Sequence, residues 1–197
     1  MLLPARDTEL VQIVDAALAD AALRAGPMLA CRPGCTQCCH GAFSINALDA
    51  ARLQSGMHDL DLSDPLLAES VRDRARTWLA QHASDFPGDV TTGILGTSEE
   101  DQSRFEDFAN DAPCPALNPD TGLCDIYAFR PLTCRVFGPP VRVEAGDTLA
   151  CCELCFIGAT PDEIADCEMP LPHELEEQLI RETGGSGETI IPFALLR

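Results

Sequence analysis

The sequence predicts a small, mainly α-helical domain that is interrupted by irregular cysteine-rich loops. Apolar residues recur at helical spacing in several segments that open on capping residues. Residues 40–110 lack the β-branched runs that are typical of strands. Eleven cysteines are crowded into short stretches between these helices. A chain of 197 residues is long enough to bury one core, so we expect a single domain over residues 1–197.

The first two helices are predicted from their apolar faces and their ends. Helix one should extend over about Thr8–Ala25, because its apolar residues share one face and Gly26-Pro27 marks a stop. Helix two follows the first cysteine-rich stretch. Ser44 or Asn46 can cap its beginning, and Gly56 is expected to end it.

Three further helices are predicted in the rest of the chain. Ser63-Asp64-Pro65 places a cap ahead of a proline in the first turn, and the helix should extend to about Ala83. Ser98 begins a capping box ahead of a short acidic helix. Pro172 begins the last helix, which ends at Gly184-Gly185. These five helices are the basis for expecting a mainly α-helical domain.

Composition excludes several classes of function. Thirteen basic residues, all arginine, oppose thirty-two acidic ones, and the resulting net charge of -19 disfavours a nucleic-acid partner. The absence of lysine removes any Schiff-base mechanism. No apolar run approaches the ~20 residues that span a bilayer, so we expect no membrane partner. The first residues also lack the apolar core of a signal peptide, which favours a cytoplasmic location.

The densest signal is Cys31-x3-Cys35-x2-Cys38-Cys39, which places four thiols within nine residues. Thiolates are strong ligands for zinc and for iron–sulfur clusters, and short spacers allow them to converge. In a reducing compartment they are ligands more often than disulfides, although disulfides remain the alternative. Neighbouring side chains diverge in most backbone conformations, so Cys38 and Cys39 are not expected to bind one ion together. One of them then serves a second metal or stays free.

Two later stretches supply more thiols. Three cysteines spaced ten residues apart are linked by turn residues over Asn118–Gly122, and a third group contains Cys151-Cys152-x2-Cys155. We interpret Cys151 and Cys167 as spare thiols, because free cysteine is a common small core residue. The predicted metal ligands are Cys31, Cys35, Cys38, Cys39, Cys114, Cys124, Cys134, Cys152 and Cys155.

The joint pattern resembles a known family. It combines the nine-residue motif with Cys114-Pro, Gly122-Leu-Cys124-x-Ile-Tyr127 and Arg130-Pro131-x-x-Cys134-Arg135. This combination resembles the YkgJ-like cysteine-cluster proteins over about residues 28–157. The resemblance implies a zinc- or iron-chelating domain, often taken to carry an iron–sulfur cluster. A related cysteine-rich region occurs in flagellin lysine-N-methylase, so the resemblance also implies a distant link to methyl transfer.

The distant groups of cysteines must meet in space if they share a metal, which would then staple the N-terminal and C-terminal parts of the domain. Nine thiolates suit two four-ligand sites, or one cluster with spare thiols. Irregular spacing, together with the proline after Cys114, favours [4Fe-4S] over zinc. We expect Arg130 and Arg135 to bind the cofactor by offsetting its negative charge. We expect His40 to bond a sulfur or face solvent instead of binding metal.

These observations predict a metal-binding protein that acts in electron transfer or in redox and metal sensing. Its expected partner is another protein, such as a redox partner. No catalytic constellation is visible, so we do not expect an enzyme. One alternative is a structural zinc module that presents an acidic surface to a basic partner. Another is an S-adenosylmethionine-dependent iron–sulfur enzyme or its accessory protein, because C-x3-C-x2-C is also the radical-SAM spacing. The repeated strand–helix units of that barrel are missing from residues 40–110.

Overall fold

The computed structural model describes residues 3–143 and 148–197, and within them the chain is mainly α-helical, as predicted. None of the described helices is both long enough and apolar enough to cross a lipid bilayer. The α-helices are α1 (Asp7–Ala25), α2 (Ala47–Ser63), α3 (Pro65–His82), α4 (Glu99–Glu106), α5 (Leu132–Val136), α6 (Pro161–Ala165), α7 (His173–Thr183) and α8 (Ile191–Ala194).

The strands are only two residues long and pair into three separate antiparallel sheets. In sequence order they are β1 (Ser44–Ile45), β2 (Gly88–Asp89), β3 (Ile94–Leu95), β4 (Val141–Arg142), β5 (Leu149–Ala150) and β6 (Thr189–Ile190). β1 pairs with β6, β2 with β3, and β4 with β5. Such short strands join neighbouring loops by backbone hydrogen bonds and do not form a layer of their own.

The chain divides into two compact units, each assembled from separate stretches of sequence. The first unit consists mainly of Thr36–Pro131 and Ile180–Arg197, and the second consists of Ala5–Cys35 and Leu132–Leu179. The boundary between Cys35 and Thr36 lies inside the nine-residue cysteine motif. The single domain over residues 1–197 stays a prediction.

The first unit is built on α2, α3 and α8, which contact one another. An aromatic core lies beside them, where Trp78, Phe86 and Phe108 are buried together with Ile190. The rings of Trp78 and Phe108 meet edge to face with their centroids 5.8 Å apart, as do those of Phe86 and Phe108. This core supports the loops that carry the cysteines of the first unit.

The predicted caps of three helices are confirmed. Asn46 accepts a 3.0 Å hydrogen bond from the backbone N–H of Asp49 at the start of α2. Asp64 accepts one of 3.1 Å from Leu67 at the start of α3, directly before Pro65. Ser98 caps α4 by accepting the N–H of its third residue at 3.1 Å. Each cap satisfies a backbone donor that the helix itself leaves open.

The expected end of α2 at Gly56 is wrong, because the helix continues to Ser63. Gly56 is instead a point of close approach: a Cβ added there would lie 2.5 Å from carbon atoms of the Phe129 side chain. Glycine in a helix normally costs stability, so its presence here is explained by packing and not by termination. The contact fixes the turn Tyr127–Phe129 on α2.

The second unit contains α1, whose predicted extent is confirmed to within one residue. α1 contacts α5, and the buried guanidinium of Arg135 donates to both carboxylate oxygens of Asp15 at 2.7 and 2.8 Å. A small apolar core beyond the end of α1 contains Ala25, Phe156 and three of the cysteines. The helix that the sequence predicts after Pro172 is confirmed as α7, which begins at His173 and ends at Thr183, but it is not the last helix, because α8 follows it.

Candidate metal centre

The division of the chain sorts the cysteines into two groups. All eleven are free thiols. Cys38 and Cys39 fall in the first unit, whereas Cys31 and Cys35 fall in the second, although only nine residues contain all four. The other cysteines of the first unit are Cys114 and Cys124, and those of the second are Cys134, Cys151, Cys152, Cys155 and Cys167.

Backbone hydrogen bonds bring the two halves of the first-unit group together. A single 3-10 turn, Gln37–Cys39, presents Cys38 and Cys39. The carbonyl oxygen of Cys39 accepts a 2.7 Å hydrogen bond from the N–H of Cys114, and the bridge between His40 and Pro113 continues this pairing. Segments that are 75 residues apart in sequence are thereby aligned (114 minus 39).

The turn predicted over Asn118–Gly122 is confirmed, and it reverses the direction of the chain. The Asn118 side chain accepts the N–H of Thr121 at 3.1 Å, and the N–H of Gly122 donates to the Asn118 carbonyl at 2.9 Å. Gly122 has a φ of +67°, a conformation that favours glycine. A bridge between Leu117 and Cys124 closes the loop. Cys124 is thus brought back toward Cys114.

The thiols of the first-unit group influence one another. A hydrogen bond from Cys39 lowers the pKa of Cys38 to about 6, and the positive charge of Arg130 acts in the same direction. The same hydrogen bond raises the pKa of Cys39, which the charges of Cys114 and Cys124 raise further. We call these four residues the first set: Cys38, Cys39, Cys114 and Cys124.

Burial and two arginines shape the rest of this environment. Burial raises the pKa of Cys114 to about 12 and also raises the pKa of Cys124. Arg130 opposes this effect at Cys124, and Arg74 opposes it at Cys114. Arg74 is oriented by Asp125 at 2.5 Å, while Arg130 lies 3.9 Å from the ring centroid of Tyr127. The charge of Arg130 therefore acts on thiols of this group, and its binding of a cofactor stays a prediction. Arg74 lies in no sequence motif that could have indicated it.

Four thiols of the second unit form a comparable group. Burial raises the pKa of Cys31 to about 12, and Cys155, Cys35 and Cys152 raise it further. Burial likewise raises the pKa of Cys152, with additional contributions from Cys155 and Cys35. We call these four residues the second set: Cys31, Cys35, Cys152 and Cys155.

Local backbone contacts hold the second set in place. The N–H of Cys155 donates to the carbonyl of Cys152 at 2.8 Å, so the C-x2-C pair lies on a tight turn. The N–H of Ala30 donates to the sulfur of Cys155 at 3.4 Å. The carbonyl oxygen of Gly138 accepts a 3.2 Å hydrogen bond from the N–H of Cys152. A Cβ added to Gly138 would lie 2.6 Å from the sulfur of Cys31. Only glycine leaves room for Cys31 there.

The remaining predicted residues are placed as follows. Cys134 is half-buried on α5, and its neighbour Arg135 is paired with Asp15. Cys151 is exposed as a residue, but its thiol is partly desolvated. This partial desolvation raises the pKa of Cys151, and the charge of Cys155 raises it further. Cys167 is buried in the apolar core of the second unit. His40 is exposed, with its Nδ1 3.0 Å from the carbonyl oxygen of Thr36.

The four thiols of each set lie near one another, but they do not form a closed metal site. Within residues 3–143 and 148–197, no three side chains of His, Cys, Asp or Glu converge closely enough to hold a metal ion. The raised pKa values describe neutral thiols, whereas metal ligands are thiolates, so closing a set requires loss of protons and rotation of side chains. The donors themselves fit zinc and iron, since each set offers four sulfurs, of which only that of Cys31 belongs to an exposed residue.

Comparison with known proteins agrees with this donor chemistry. The family model CxxCxxCC, described as a "putative zinc- or iron-chelating domain", matches residues 30–156. The match covers 127 of the 197 residues (156 minus 30, plus 1) and includes every member of both sets. Searches of curated proteins and of solved structures gave no significant match. The chain therefore belongs to the CxxCxxCC family of metal-chelating domains, which confirms the resemblance to a cysteine-cluster family.

Proposed function

We propose that this chain is a metal-binding protein with two separate four-cysteine centres, at least one of which carries an iron–sulfur cluster. Its role is electron transfer or the sensing of redox state and metal. One observation carries the proposal: the thiols that influence one another's pKa fall into two groups, one in each unit, and each group contains four of the predicted ligands. All eleven cysteines are free thiols, and four is the usual number of ligands for zinc and for cubane clusters.

The ligands of each set come from distant segments of the chain, which supports a metal that stabilises the fold. In the first set, Cys39 is 75 residues from Cys114 (114 minus 39), and in the second set Cys35 is 117 residues from Cys152 (152 minus 35). A metal that joins such segments cross-links the folded chain and has no equivalent site in the unfolded chain. Metal binding and folding should therefore be coupled.

The surroundings of the first set support a redox role. A cluster with four thiolates is anionic and becomes more so on reduction, so nearby cations make it easier to reduce. Arg130 and Arg74 supply positive charge at Cys38, Cys124 and Cys114. The exposed side chains of Leu123 and Tyr127 lie near Cys124 in sequence and offer an apolar contact for a partner.

A second candidate function is a structural zinc module that presents an acidic surface to a basic partner. The net charge of -19 favours this candidate, because an acidic surface attracts basic proteins over a long range. The S-adenosylmethionine alternative gains less support. The described strands pair into three separate two-stranded sheets, which differ from the closed barrel of alternating strands and helices that such enzymes use.

The test is anaerobic purification of the full chain, followed by analysis of iron, acid-labile sulfide and zinc and by visible absorption spectroscopy. Our proposal predicts a brown protein with iron and sulfide in equal amounts, as in a [4Fe-4S] cluster. A colourless protein with zinc alone would favour the structural module. A folded protein that binds neither metal, even after anaerobic reconstitution, would refute both functions.

A further inference from the structure

We propose that the second unit carries a docking surface for a basic partner protein. The surface consists of the exposed apolar side chains of Phe137, Leu154 and Ile157, and we call these three residues the docking surface. The partner that fits it presents an apolar patch bordered by arginine or lysine. The inference goes beyond the proposed function, because it assigns a partner to a surface and does not depend on which metal the thiols bind.

The docking surface borders thiols of the second set. Leu154 lies in the tight turn between the two cysteines of the C-x2-C pair, and Ile157 follows the second of these cysteines by two residues. The carbonyl oxygen of Phe137 lies 4.0 Å from the sulfur of Cys31. All of these residues belong to the second unit. A partner on the docking surface would therefore lie beside the second set.

The exposure of these side chains indicates a contact with another molecule. Ile157 is 82% exposed, Leu154 is 42% exposed and Phe137 is 37% exposed. A single exposed apolar side chain is ordinary in a folded protein. Several that border one group of functional side chains are instead typical of an interaction site.

The backbone next to Ile157 is strained. Phe156 has a φ of +57°, a left-handed conformation that is unusual for a bulky residue. Its side chain is buried in the apolar core of the second unit, and its N–H donates to the carbonyl of Met28 at 2.8 Å. Strain of this kind persists where the surrounding structure enforces it, and such positions cluster at functional sites. Here the strained turn buries Phe156 while its neighbour Ile157 faces solvent.

The charge of the same segment favours a basic partner. Residues 151–168 contain no arginine or lysine but have five carboxylates, on Glu153, Asp162, Glu163, Asp166 and Glu168. Glu168 is paired with Arg142 at 2.6 Å, whereas Asp162 and Asp166 are exposed. Arg32, which follows Cys31, is an exposed cation on the other side of the second set. Carboxylates beside an apolar surface attract a basic protein and repel anionic lipid, and the net charge of -19 also opposes pairing with a second copy of this chain.

The experiment measures the binding of two synthetic peptides to anaerobically purified full-length protein by calorimetry at low ionic strength. Both peptides contain the same leucines and lysines, but only one forms a helix with all its leucines on one face. We expect the wild type to bind this amphipathic peptide more tightly than the other, and added salt to weaken the binding. Ile157→Ser and Leu154→Ser should each bind it about tenfold more weakly, because an aliphatic contact is lost. Leu66→Ser is the matched control: Leu66 is 86% exposed but belongs to the first unit, so this variant should bind like wild type.

Several outcomes would overturn the inference. Equal binding of the two peptides, or equal weakening in Leu66→Ser and Ile157→Ser, would show that the docking surface is not recognised. Dimerisation of the wild type that Ile157→Ser abolishes would assign the surface to a second copy of the chain. Binding to neutral phosphatidylcholine vesicles that the same variant loses would assign it to a membrane.

A cross-linking measurement covers the case in which a variant does not fold. The amphipathic peptide, carrying a photoreactive leucine analogue, must then cross-link wild-type protein at the docking surface. Cross-links confined to the first unit would contradict the inference. Because peptide binding and not metal content is measured, failure here leaves the proposed metal binding intact.

Discussion

The backbone N–H of Cys114 donates a 2.7 Å hydrogen bond to the carbonyl oxygen of Cys39. This contact joins the first cysteine motif to the second within one unit, and it aligns their backbones independently of any metal. The first set is therefore partly preorganised by the protein backbone. Preorganisation reduces the conformational entropy that is lost when a ligand set closes.

The first prediction concerns a ligand of the first set. Cys124→Ser should remove one of the two metal centres, because four ligands are needed to complete a cubane or a tetrahedral site. The other centre should remain at its wild-type occupancy. Cys167→Ala should keep both centres and lose only about 1 kcal/mol of stability, as expected for a small change in a core. Metal analysis and chemical denaturation measure these effects. Equal loss of metal in both variants would show that ligands and spare thiols have been sorted wrongly.

The second prediction concerns Gly138. Gly138→Ala should weaken the centre of the second set, because the new Cβ would lie 2.6 Å from the sulfur of Cys31 and φ is +129°. We expect destabilisation of about 1–3 kcal/mol, with a lower metal content. Gly158→Ala is the control, since its φ is +80° but nothing lies within 4 Å of its added Cβ. If both variants lose the same amount of metal, backbone strain and not contact with Cys31 is the cause.

The third prediction concerns the reactivity of Cys38 in metal-free protein. Only the thiolate reacts with iodoacetamide, so the labelling rate rises as pH increases through the pKa of the thiol. The pKa of Cys38 is lowered to about 6, whereas those of Cys39 and Cys151 are raised. Cys38 should therefore react before exposed Cys151 at pH 7. Mass spectrometry of labelled peptides between pH 5 and pH 9 tests this order, and faster labelling of Cys39 than of Cys38 would contradict it.

The fourth prediction concerns His40. Its Nδ1 lies 3.0 Å from the carbonyl oxygen of Thr36, which is consistent with a hydrogen bond and leaves the metal to the thiols. His40→Ala should retain the full complement of metal, with at most a shift in midpoint potential. Quantitative metal analysis and redox titration measure the two effects. A folded His40→Ala protein that lacks one centre would establish His40 as a ligand.

The fifth prediction concerns Arg130. Its positive charge favours the ionised forms of Cys38 and Cys124, so it should also favour the more negative, reduced cluster. Arg130→Gln should lower the midpoint potential without loss of iron. Arg130→Lys keeps the charge and should remain close to wild type. A potential that does not change in Arg130→Gln would show that Arg130 does not compensate the charge of the cluster.

Local features of the fold could be predicted from the sequence because local chemistry determines them. Asn46, Asp64 and Ser98 each cap a helix, and the turn over Asn118–Gly122 forms as expected. Gly56 did not follow the local rule. Its place in α2 depends on the approach of Phe129, which lies 73 residues further along the chain (129 minus 56) and cannot be predicted from neighbouring residues.

The candidate site was predictable as a list of thiols but not as an arrangement. Eight of the nine predicted ligands lie in the two sets, where their binding of metal stays a prediction. No spacing rule indicates that the chain passes from one unit to the other after Cys35. That division depends on long-range contacts such as the one between Cys39 and Cys114. The position of Arg74 also depends on a long-range contact, because its ion pair with Asp125 holds it where its charge acts on Cys114. Residue type alone distinguishes neither feature.

We propose two independent four-cysteine centres in one chain. Native mass spectrometry of anaerobically purified full-length protein tests this proposal most directly, because each bound centre adds its own mass. We predict two additions in the wild type, one in Cys39→Ser, the other in Cys31→Ser, and neither in the variant that combines both changes. A single addition that disappears in both single variants would contradict the account, since it would mean that all the ligands share one centre.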